Sequence, residues 1–359
     1  MIHIILGTKA QLIKMAPVMI ELQKQEIDYN FIFTGQHKET IDELLSNFKL
    51  KKPDYILYSG KDITGIFQMA LWIIKILFKT FKNKKEIFKN DKNGIVLVHG
   101  DTFSTFLGAL MGKITKLNIA HVESGLRSFN LLNPFPEEIT RILVFKLSNY
   151  YFCPGEWTLN NLRKYKGKKI NTKENTLFDS LALAIKNKED EKINIPNDEY
   201  VVFTIHRFEN IFNKKRFEDI IDIIENISKK FKVLFILHPP TKKKLEEYNF
   251  ISRLEQNNNV DLRPRYNYFE FIRLINKSEF VATDGGSNQE ECFYLGKPCI
   301  LLRYETERKE GLEKNVVLTK FNKKIIEDFI NSYKNYKTEM LSDIISPSKL
   351  IVDSIREFK

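Results

Sequence analysis

The sequence is poor in cysteine and lacks several common catalytic and metal-binding signatures. Its 359 residues include only Cys153, Cys292 and Cys299, and these form no C-x-x-C pair. An odd and widely spaced set of thiols argues against a disulfide framework and predicts reduced core cysteines in a cytoplasmic protein. The chain also has no H-E-x-x-H, G-x-S-x-G, Walker A or G-x-G-x-x-G motif. We therefore expect neither a metal nor a cofactor.

Long uncharged apolar runs are also missing. A membrane-spanning helix needs about 20 apolar residues, and the most apolar stretch, 66–81, is interrupted by two lysines. Polar residues recur there at spacings of 7, 4 and 3 and form one stripe: Gln68, Lys75, Lys79 and Lys82. This pattern favours a helix packed in the protein or against a second copy, as in a homodimer, over membrane contact. No charged leader precedes the first strand signal at Ile2, so a signal peptide is not expected.

Acidic residues are outnumbered, and the formal net charge is +11. A basic balance can indicate nucleic-acid binding when the cations cluster on one face. Here the lysines are scattered and often lie beside acids, as in KNKEDEK at 186–192. The charge therefore predicts a solvated surface and no nucleic-acid partner, although a positive field would still attract a phosphorylated substrate.

Short apolar strand signals alternate with helical stretches along the whole chain. Those of the first half are Ile2–Leu6, Tyr29–Phe33, Ile95–Val98, Asn118–Val122 and Tyr150–Cys153. Those of the second half are Tyr200–Thr204, Lys232–Leu237, Val260–Leu262, Phe280–Thr283, Cys299–Leu302 and Val316–Leu318. Such alternation is typical of parallel, doubly wound α/β sheets.

Two such sets predict two Rossmann-like domains. The join is expected near 167–195, where the composition turns to Lys, Asn, Asp and Glu. We expect an N-terminal domain at 1–168 and a C-terminal, nucleotide-binding domain at 169–345. The last stretch, 346–359, is expected to cross back onto the first domain.

Polar clusters follow these strands on their carboxyl side, which is where open α/β sheets bind ligands. Among them, Asp101 and Glu123 follow adjacent strand signals of the first half, and Glu137 lies in a nearby turn rich in proline. Glu is rarely fully buried without a partner, and carboxylates at strand ends suit proton transfer. Capping of a helix by Asp101 is an alternative that the sequence leaves open. For Glu138 we assign no catalytic role and expect only that it orients the turn.

The second half carries residues suited to a nucleotide. Gly285, Gly286 and Ser287 follow a strand signal and open a helix, where backbone N–H groups and the helix dipole favour a phosphate. Glu291, one turn later, could accept hydrogen bonds from ribose hydroxyls. A glycine turn with an acidic first helical turn is the competing interpretation.

Cations stand in two further clusters. Lys9 and Lys14 follow the first strand, and His206 with Arg207 follows another. Lys14 suits a pyrophosphate, and the His206–Arg207 pair suits a phosphate leaving group. A solvated lysine and a helix-capping or core histidine are the alternatives.

The ordered motifs resemble those of the non-hydrolysing UDP-N-acetylglucosamine 2-epimerases. The matching segments run from residue 7 to residue 311 and cover nearly the whole chain. They are GTKAQLIKMAPV (7–18), TGQHKE (34–39), VHGDTFST (98–105), HVESGLRS (121–128), FPEEITR (135–141), TIHRFEN (204–210), HPPT (238–241) and TDGGSNQEECFYLGKPCILLRYETERKEG (283–311).

The resemblance implies two Rossmann-like domains facing across a cleft, as in GT-B glycosyltransferases. It also implies a reaction that makes nucleotide sugars for surface polysaccharides. The C2 proton of a UDP-N-acetylhexosamine is removed, UDP leaves C1 to give a 2-acetamidoglucal, and UDP re-adds after protonation on the opposite face.

Residue roles follow from the same resemblance. It places the catalytic groups at Asp101, Glu123, Glu137 and His206. It places the substrate-binding residues at Lys9, Lys14, Arg141, Arg207, His238, Gly285, Gly286, Ser287 and Glu291. Some bacterial members bind a second UDP-sugar as an activator, and the corresponding residues here are Gln36 and His37.

Several positions depart from the family pattern. The usual Arg-Pro-Glu after the first Gly-Thr is Lys9-Ala10-Gln11, so a bidentate arginine contact becomes a point charge. Phe208 stands where a second arginine is usual, and Gly285-Gly286-Ser287 replaces Ser-Gly-Gly. The altered first motif leaves open a catalytically weak UDP-sugar-binding relative. Two further alternatives are a hydrolysing 2-epimerase releasing free N-acetylmannosamine and UDP, and a glycosyltransferase of the same fold.

Overall fold

The protein is described by a computed structural model. It covers residues 1–36, 41–60, 66–131, 135–187, 193–342 and 344–358.

The chain divides into two compact units. The first is Met1–Ser180 together with Ile345–Lys359, and the second is Leu181–Ile344. The boundary expected after residue 168 falls at the start of a strand that pairs within the first sheet, and the first unit therefore continues to Ser180.

The first unit is built on a parallel sheet, seven-stranded in the described residues, with the order β3-β2-β1-β4-β5-β6-β7. Its strands are β1 (Ile2–Leu6), β2 (Tyr29–Phe33), β3 (Tyr55–Ile56), β4 (Ile95–His99), β5 (Asn118–Val122), β6 (Tyr150–Cys153) and β7 (Lys168–Asn171). The strand order reverses direction between β1 and β4, which is the switch point where ligands bind in such sheets.

Helices connect these strands. They are α1 (Lys9–Lys24), α2 (Ile41–Asn47), α3 (Ile66–Ile87), α4 (Phe103–Thr115), α5 (Glu137–Leu147), α6 (Glu156–Asn161) and α7 (Leu177–Lys186). The last helix of the chain, α15 (Pro347–Arg356), returns to this unit and packs on α1. Three hydrogen bonds hold it: Gln25 Nε2 donates to Asp353 Oδ1 at 3.1 Å, Arg356 Nη1 donates to Gln25 Oε1 at 3.2 Å, and Ser348 N donates to Asp179 Oδ2 at 2.8 Å.

The second unit has a parallel sheet, six-stranded in the described range, with the order β10-β9-β8-β11-β12-β13. Its strands are β8 (Tyr200–Thr204), β9 (Lys232–Leu237), β10 (Val260–Pro264), β11 (Val281–Thr283), β12 (Cys299–Leu301) and β13 (Val316–Leu318). Its helices are α8 (Phe208–Ile211), α9 (Lys214–Ser228), α10 (Pro239–Glu247), α11 (Ile251–Glu255), α12 (Tyr268–Lys277), α13 (Gly286–Leu295) and α14 (Lys323–Ser332), followed by a 3-10 turn at Tyr333–Tyr336.

The prediction of two parallel α/β sheets is confirmed, and every predicted strand is present within two residues of its expected bounds. The sequence did not reveal β3 and β7, which lie at the two edges of the first sheet. Neither carries a continuous apolar run, because edge strands are paired on one side only and are less buried. Within the described ranges, no helix combines the length and the apolar character needed to cross a bilayer.

Candidate active site

Glu123 directly follows β5 in an unusual backbone conformation. Its φ of +60° lies in the left-handed region, which side chains other than glycine, asparagine and aspartate seldom adopt. The next turn is equally constrained, because a Cβ on Gly125 would lie 2.2 Å from the backbone oxygen of Thr158. The chain therefore holds the Glu123 side chain in one direction at the carboxyl edge of the sheet.

Two basic side chains meet this carboxylate. Lys14 Nζ donates to both oxygens of Glu123, at 3.0 and 2.8 Å, and His99 Nε2 lies 3.0 Å from Glu123 Oε2. The side chains of Lys14 and Glu123 are 5% and 4% exposed. A two-oxygen contact with a buried ammonium favours the ionised form of a carboxylate. The contact of Lys14 with a pyrophosphate stays a prediction.

The Gln11 side chain forms hydrogen bonds with both the turn after β1 and the end of β4. Its Nε2 donates to His99 O at 2.8 Å and to Thr105 Oγ1 at 3.0 Å. Its Oε1 accepts from the backbone of Gly7 at 2.9 Å and of Thr8 at 3.2 Å. An ionised glutamate could not donate to a carbonyl. The glutamine that departs from the family pattern is therefore matched to its surroundings here.

Asp101 and Glu123 lie at the same edge of the sheet, because His99 and Val122 are paired residues of adjacent parallel strands. Arg141, on α5, donates through Nε and Nη2 to Asp101 Oδ2, at 2.9 and 2.6 Å. The helix-capping alternative for Asp101 does not hold, since Thr102 is the N-cap of α4.

Glu138 is fully buried and accepts hydrogen bonds from donors in a loop and in a helix. It accepts from Arg127 Nε, Ser128 N (3.0 Å), Phe129 N (3.3 Å) and Arg141 Nη1 (3.3 Å). Burial alone would raise the pKa of this carboxyl, but Ser128, Arg127 and Arg141 outweigh it and hold the pKa below its ordinary value. Glu138 thus orients the turn, as expected, and it also holds the arginine that contacts Asp101.

His121 is a buried histidine with an assignable tautomer. Its Nε2 lies 2.7 Å from the carbonyl oxygen of Gly100 and therefore carries the hydrogen. Its Nδ1 accepts from Ser124 Oγ at 2.9 Å. Burial lowers the pKa of His121 to about 4, so the ring is neutral at pH 7.

In the second unit, Asp284 organises the residues that follow β8. This fully buried carboxylate accepts from His206 N at 3.0 Å, Arg207 N at 3.0 Å and Asn210 Nδ2 at 2.9 Å. The His206 side chain is 38% exposed, and Arg207 is the N-cap of α8. A core or helix-capping role for His206 is therefore wrong. The sequence pattern had not singled out Asp284, since nothing local reveals its partners some 75 residues away.

The glycine turn after β11 lies against this cluster. A Cβ on Gly285 would lie 2.4 Å from Asn288 Oδ1 and 3.1 Å from His206 Cε1, so a side chain there would displace both. A Cβ on Gly286, the first residue of α13, would lie 3.0 Å from Arg308 Nε, so this guanidinium lies beside the N-terminal turn of the helix. Glu291 is 3% exposed and accepts from Asn288 Nδ2 at 2.8 Å.

Four further residues were predicted to bind substrate or to take part in catalysis: Lys9, Glu137, His238 and Ser287. Lys9 and Ser287 are partly exposed in the first turns of α1 and α13, and Glu137 is partly exposed at the start of α5. The His238 ring stacks on that of His206 with centroids 4.7 Å apart.

Gln36 and His37 correspond to the activator-binding residues of some bacterial relatives. Gln36 is buried and accepts from Ser104 Oγ at 2.7 Å. His37 lies outside the described residues. Across the part of the chain that the structure covers, no group of three or more His, Cys, Asp or Glu side chains could hold a metal ion.

Comparison with known proteins identifies relatives of nearly full length. A family model described as UDP-N-acetylglucosamine 2-epimerase matches residues 20–345. The chain is 36% identical to the UDP-N-acetylglucosamine 2-epimerase of Methanocaldococcus jannaschii, over 94% of each chain. The Neisseria meningitidis enzyme of the same name is 32% identical, over 98% of each.

Solved structures of UDP-GlcNAc 2-epimerases superpose on this chain over nearly its full length. The N. meningitidis UDP-GlcNAc 2-epimerase bound to UDP-GlcNAc superposes with a TM-score of 0.83 at 32% identity, covering 99% of both chains. The M. jannaschii enzyme in complex with UDP-GlcNAc and UDP gives 0.81 at 32% identity, again over 99% of both. Acinetobacter baumannii MurG, at 9% identity and a TM-score of 0.53, shares only the fold, which is of the GT-B type.

Proposed function

This chain belongs to the UDP-N-acetylglucosamine 2-epimerase family, and we propose that it epimerises C2 of a UDP-N-acetylhexosamine without net hydrolysis. The substrate is UDP-GlcNAc, giving UDP-ManNAc, or a related UDP-sugar with other ring substituents. The observation that carries the proposal is the buried Lys14–Glu123–His99 cluster beside the Asp101–Arg141 pair at one sheet edge.

The reaction needs one group that takes a proton and another that returns it. A carboxylate removes the proton from C2, and the C–H electron pair forms the C1=C2 double bond. The C1–O bond breaks with its electrons, and UDP leaves. A second acid then protonates C2 on the opposite face, and the UDP oxygen re-forms its bond to C1, so that atoms and charge balance.

Two differently held carboxylates suit this division. Glu123 contacts an ammonium and a histidine, whereas Asp101 contacts a guanidinium that Glu138 holds from the other side. One of the two can act as the base and the other as the acid once a proton has moved. Glu137, at the start of α5, is the third acid of this set.

The second unit would handle the nucleotide. The N-terminal turn of α13 at Gly285–Ser287, with its helix dipole and with Arg308 beside it, suits the diphosphate, and Glu291 suits the ribose. His206 and Arg207 would stabilise the negative charge that develops on the leaving phosphate.

Deuterium exchange tests the reaction directly. The protein is incubated with UDP-GlcNAc and a panel of related UDP-sugars in deuterated buffer and followed by NMR. We expect deuterium at C2 and conversion to the 2-epimer. Retention of the C2 proton by protein that binds UDP in calorimetry would overturn the proposal. Free N-acetylmannosamine and UDP in equal amounts would instead identify a hydrolysing enzyme.

The outward face of α3 supports a homodimer, which is the second part of the proposal. Large apolar side chains recur along it at spacings of 3, 4 and 3, more than half exposed: Leu71, Ile74, Phe78 and Phe81. The opposite face packs into the core through Met69, Trp72 and Ile76. A contiguous exposed apolar stripe is typical of a contact surface, and a second copy can bury it symmetrically.

Light scattering coupled to gel filtration tests this contact. Wild-type protein should elute as a dimer, and the double change Ile74→Lys and Phe78→Lys should give a folded monomer. Glu255→Lys, an exposed charge change in the second unit, is the control and should leave the dimer intact. A monomeric wild type would overturn the dimer.

A further inference from the structure

Asp284 has an uncommon set of contacts for a buried carboxylate. Both oxygens are occupied by neutral N–H donors, from the backbone of His206 and Arg207 and from the Asn210 amide. Among the described residues it contacts no lysine or arginine side chain within ion-pair distance. An ionised carboxylate without a cation is costly to bury, and hydrogen bonds to it repay only part of that cost. The Arg207 guanidinium offsets part of this cost through space, since it interacts electrostatically with Asp284, and a further positive charge nearby would offset more of it.

The group placed to take up that charge is the His206 ring. His206 Nδ1 lies 3.4 Å from Asp284 Oδ1. Catalytic hydrogen bonds are often this long before substrate binds and shorten afterwards. A carboxylate can only accept, so the nitrogen that faces it carries the hydrogen.

Two neighbours fix the plane of the ring. His206 Cε1 lies beside Gly285, where a Cβ would approach it to 3.1 Å, and the His238 ring stacks at 4.7 Å with an interplanar angle of 30°. With Nδ1 turned toward Asp284, Nε2 is the nitrogen left to face a ligand. It accepts a hydrogen bond when the ring is neutral and donates one when the ring is protonated.

We propose that Asp284 is a positioning residue: it holds His206 with the hydrogen on Nδ1 and stabilises its imidazolium, so that Nε2–H donates to the leaving diphosphate oxygen. When the C1–O bond breaks, the negative charge on that oxygen meets the imidazolium, and Asp284 compensates the positive charge from behind. The same division of labour between an orienting carboxylate and a histidine occurs in hydrolase triads. This inference rests on the proposed function for the identity of the leaving group, but the tautomer of His206 does not depend on it.

The competing explanation is that Asp284 only stabilises the turn after β8. Asn210 separates the two explanations, because its amide donates to Asp284 Oδ2 and to Leu302 O. Asn210→Ala therefore weakens the same hydrogen-bond cluster while leaving the carboxylate beside the imidazole. Asp284→Asn keeps the size of the side chain and removes its charge.

The first readout is the 15N NMR spectrum of histidine-labelled protein, with the His206 signals assigned by their loss in His206→Gln. We expect the Nδ1–H form in wild type and in Asn210→Ala, and a shift of population toward Nε2–H in Asp284→Asn. Wild type in the Nε2–H form would overturn the proposal, and that measurement needs no variant to fold. Because it uses no substrate, it stands even if the chain fails to epimerise UDP-sugars.

The second readout is the split between kcat and KM. We expect Asp284→Asn to lower kcat by about 10–100-fold, as removal of a carboxylate that orients a metal-bound histidine does, with a much smaller change in KM. Asn210→Ala should lower stability while kcat stays within about threefold. Equal losses of kcat in the two variants, with an unchanged His206 tautomer, would reduce Asp284 to a structural role.

Discussion

The two units hold their buried carboxylates by different means. In the first unit, Glu123 and Asp101 are paired with the side-chain cations Lys14 and Arg141, which belong to helices distant in sequence. In the second, Asp284 is held mainly by backbone N–H groups of one short turn. A side-chain cation has rotatable bonds and can follow a proton transfer, whereas backbone donors fix a carboxylate in place. The first arrangement suits groups that react, and the second suits a group that orients another.

The distinction between the two units requires that Glu123 be charged for turnover. Glu123→Gln keeps the size of the side chain and one of its two contacts to Lys14, because the amide oxygen accepts and the NH2 group cannot. UDP affinity should be unchanged. We expect turnover to fall by roughly 10²–10⁴-fold, the usual contribution of a well-placed acid or base. NMR of C2 exchange and UDP calorimetry measure the two quantities. Glu255→Gln, on the surface, is the matched control, and equal activity in both variants would remove Glu123 from the mechanism.

Lys14, the cation paired with Glu123, should contribute to the free energy of unfolding as well. Lys14→Met removes the ammonium from the buried Glu123 carboxylate, and breaking a buried ion pair costs about 3–5 kcal/mol. Urea denaturation of single and double variants with Glu123→Gln should show non-additive losses. Additive losses would mean that the two side chains do not interact energetically.

The neutral histidine of the first unit gives a pH-dependent prediction. The pKa of His121 is about 4 in the folded protein and 6.5 for an ordinary histidine, so the unfolded chain binds more protons between these values. The free energy of unfolding should therefore have its full value above pH 6.5. It should decrease by up to about 3 kcal/mol as the pH drops toward 4. His121→Gln should flatten that dependence in denaturation series from pH 4 to 8. An identical slope in the variant would contradict the assignment.

The smallest effect is expected where the partner is a neutral amide. Asn210→Ala removes one of several donors to Asp284, and a lost hydrogen bond at a buried group costs about 1–3 kcal/mol. Urea denaturation of this variant beside Lys14→Met gives the comparison directly. A loss as large as that of Lys14→Met would remove the distinction between the two units.

Strand positions and strand-end acids could be predicted because apolar runs and chain order determine them locally. Asp101, Glu123 and the His206–Arg207 turn were recognised in this way. The partners could not be predicted, since Lys14 meets Glu123 across 109 residues and the contact depends on how α1 lies on the sheet. Glu138 shows the same limit: its sequence context indicates a turn, and only the fold shows that it links that turn to Arg141.

At Glu123, the left-handed backbone conformation lowers the stability of the fold, while the side chain is needed for the proposed reaction. Glycine or asparagine would relieve roughly 1–2 kcal/mol of backbone strain there, and an apolar residue at position 14 would remove the need to bury a charge. In a library varied at both positions and screened only for heat resistance, we expect the sturdiest clones to have discarded this carboxylate. Stabilising this protein without assaying its turnover would thus select against the reaction itself.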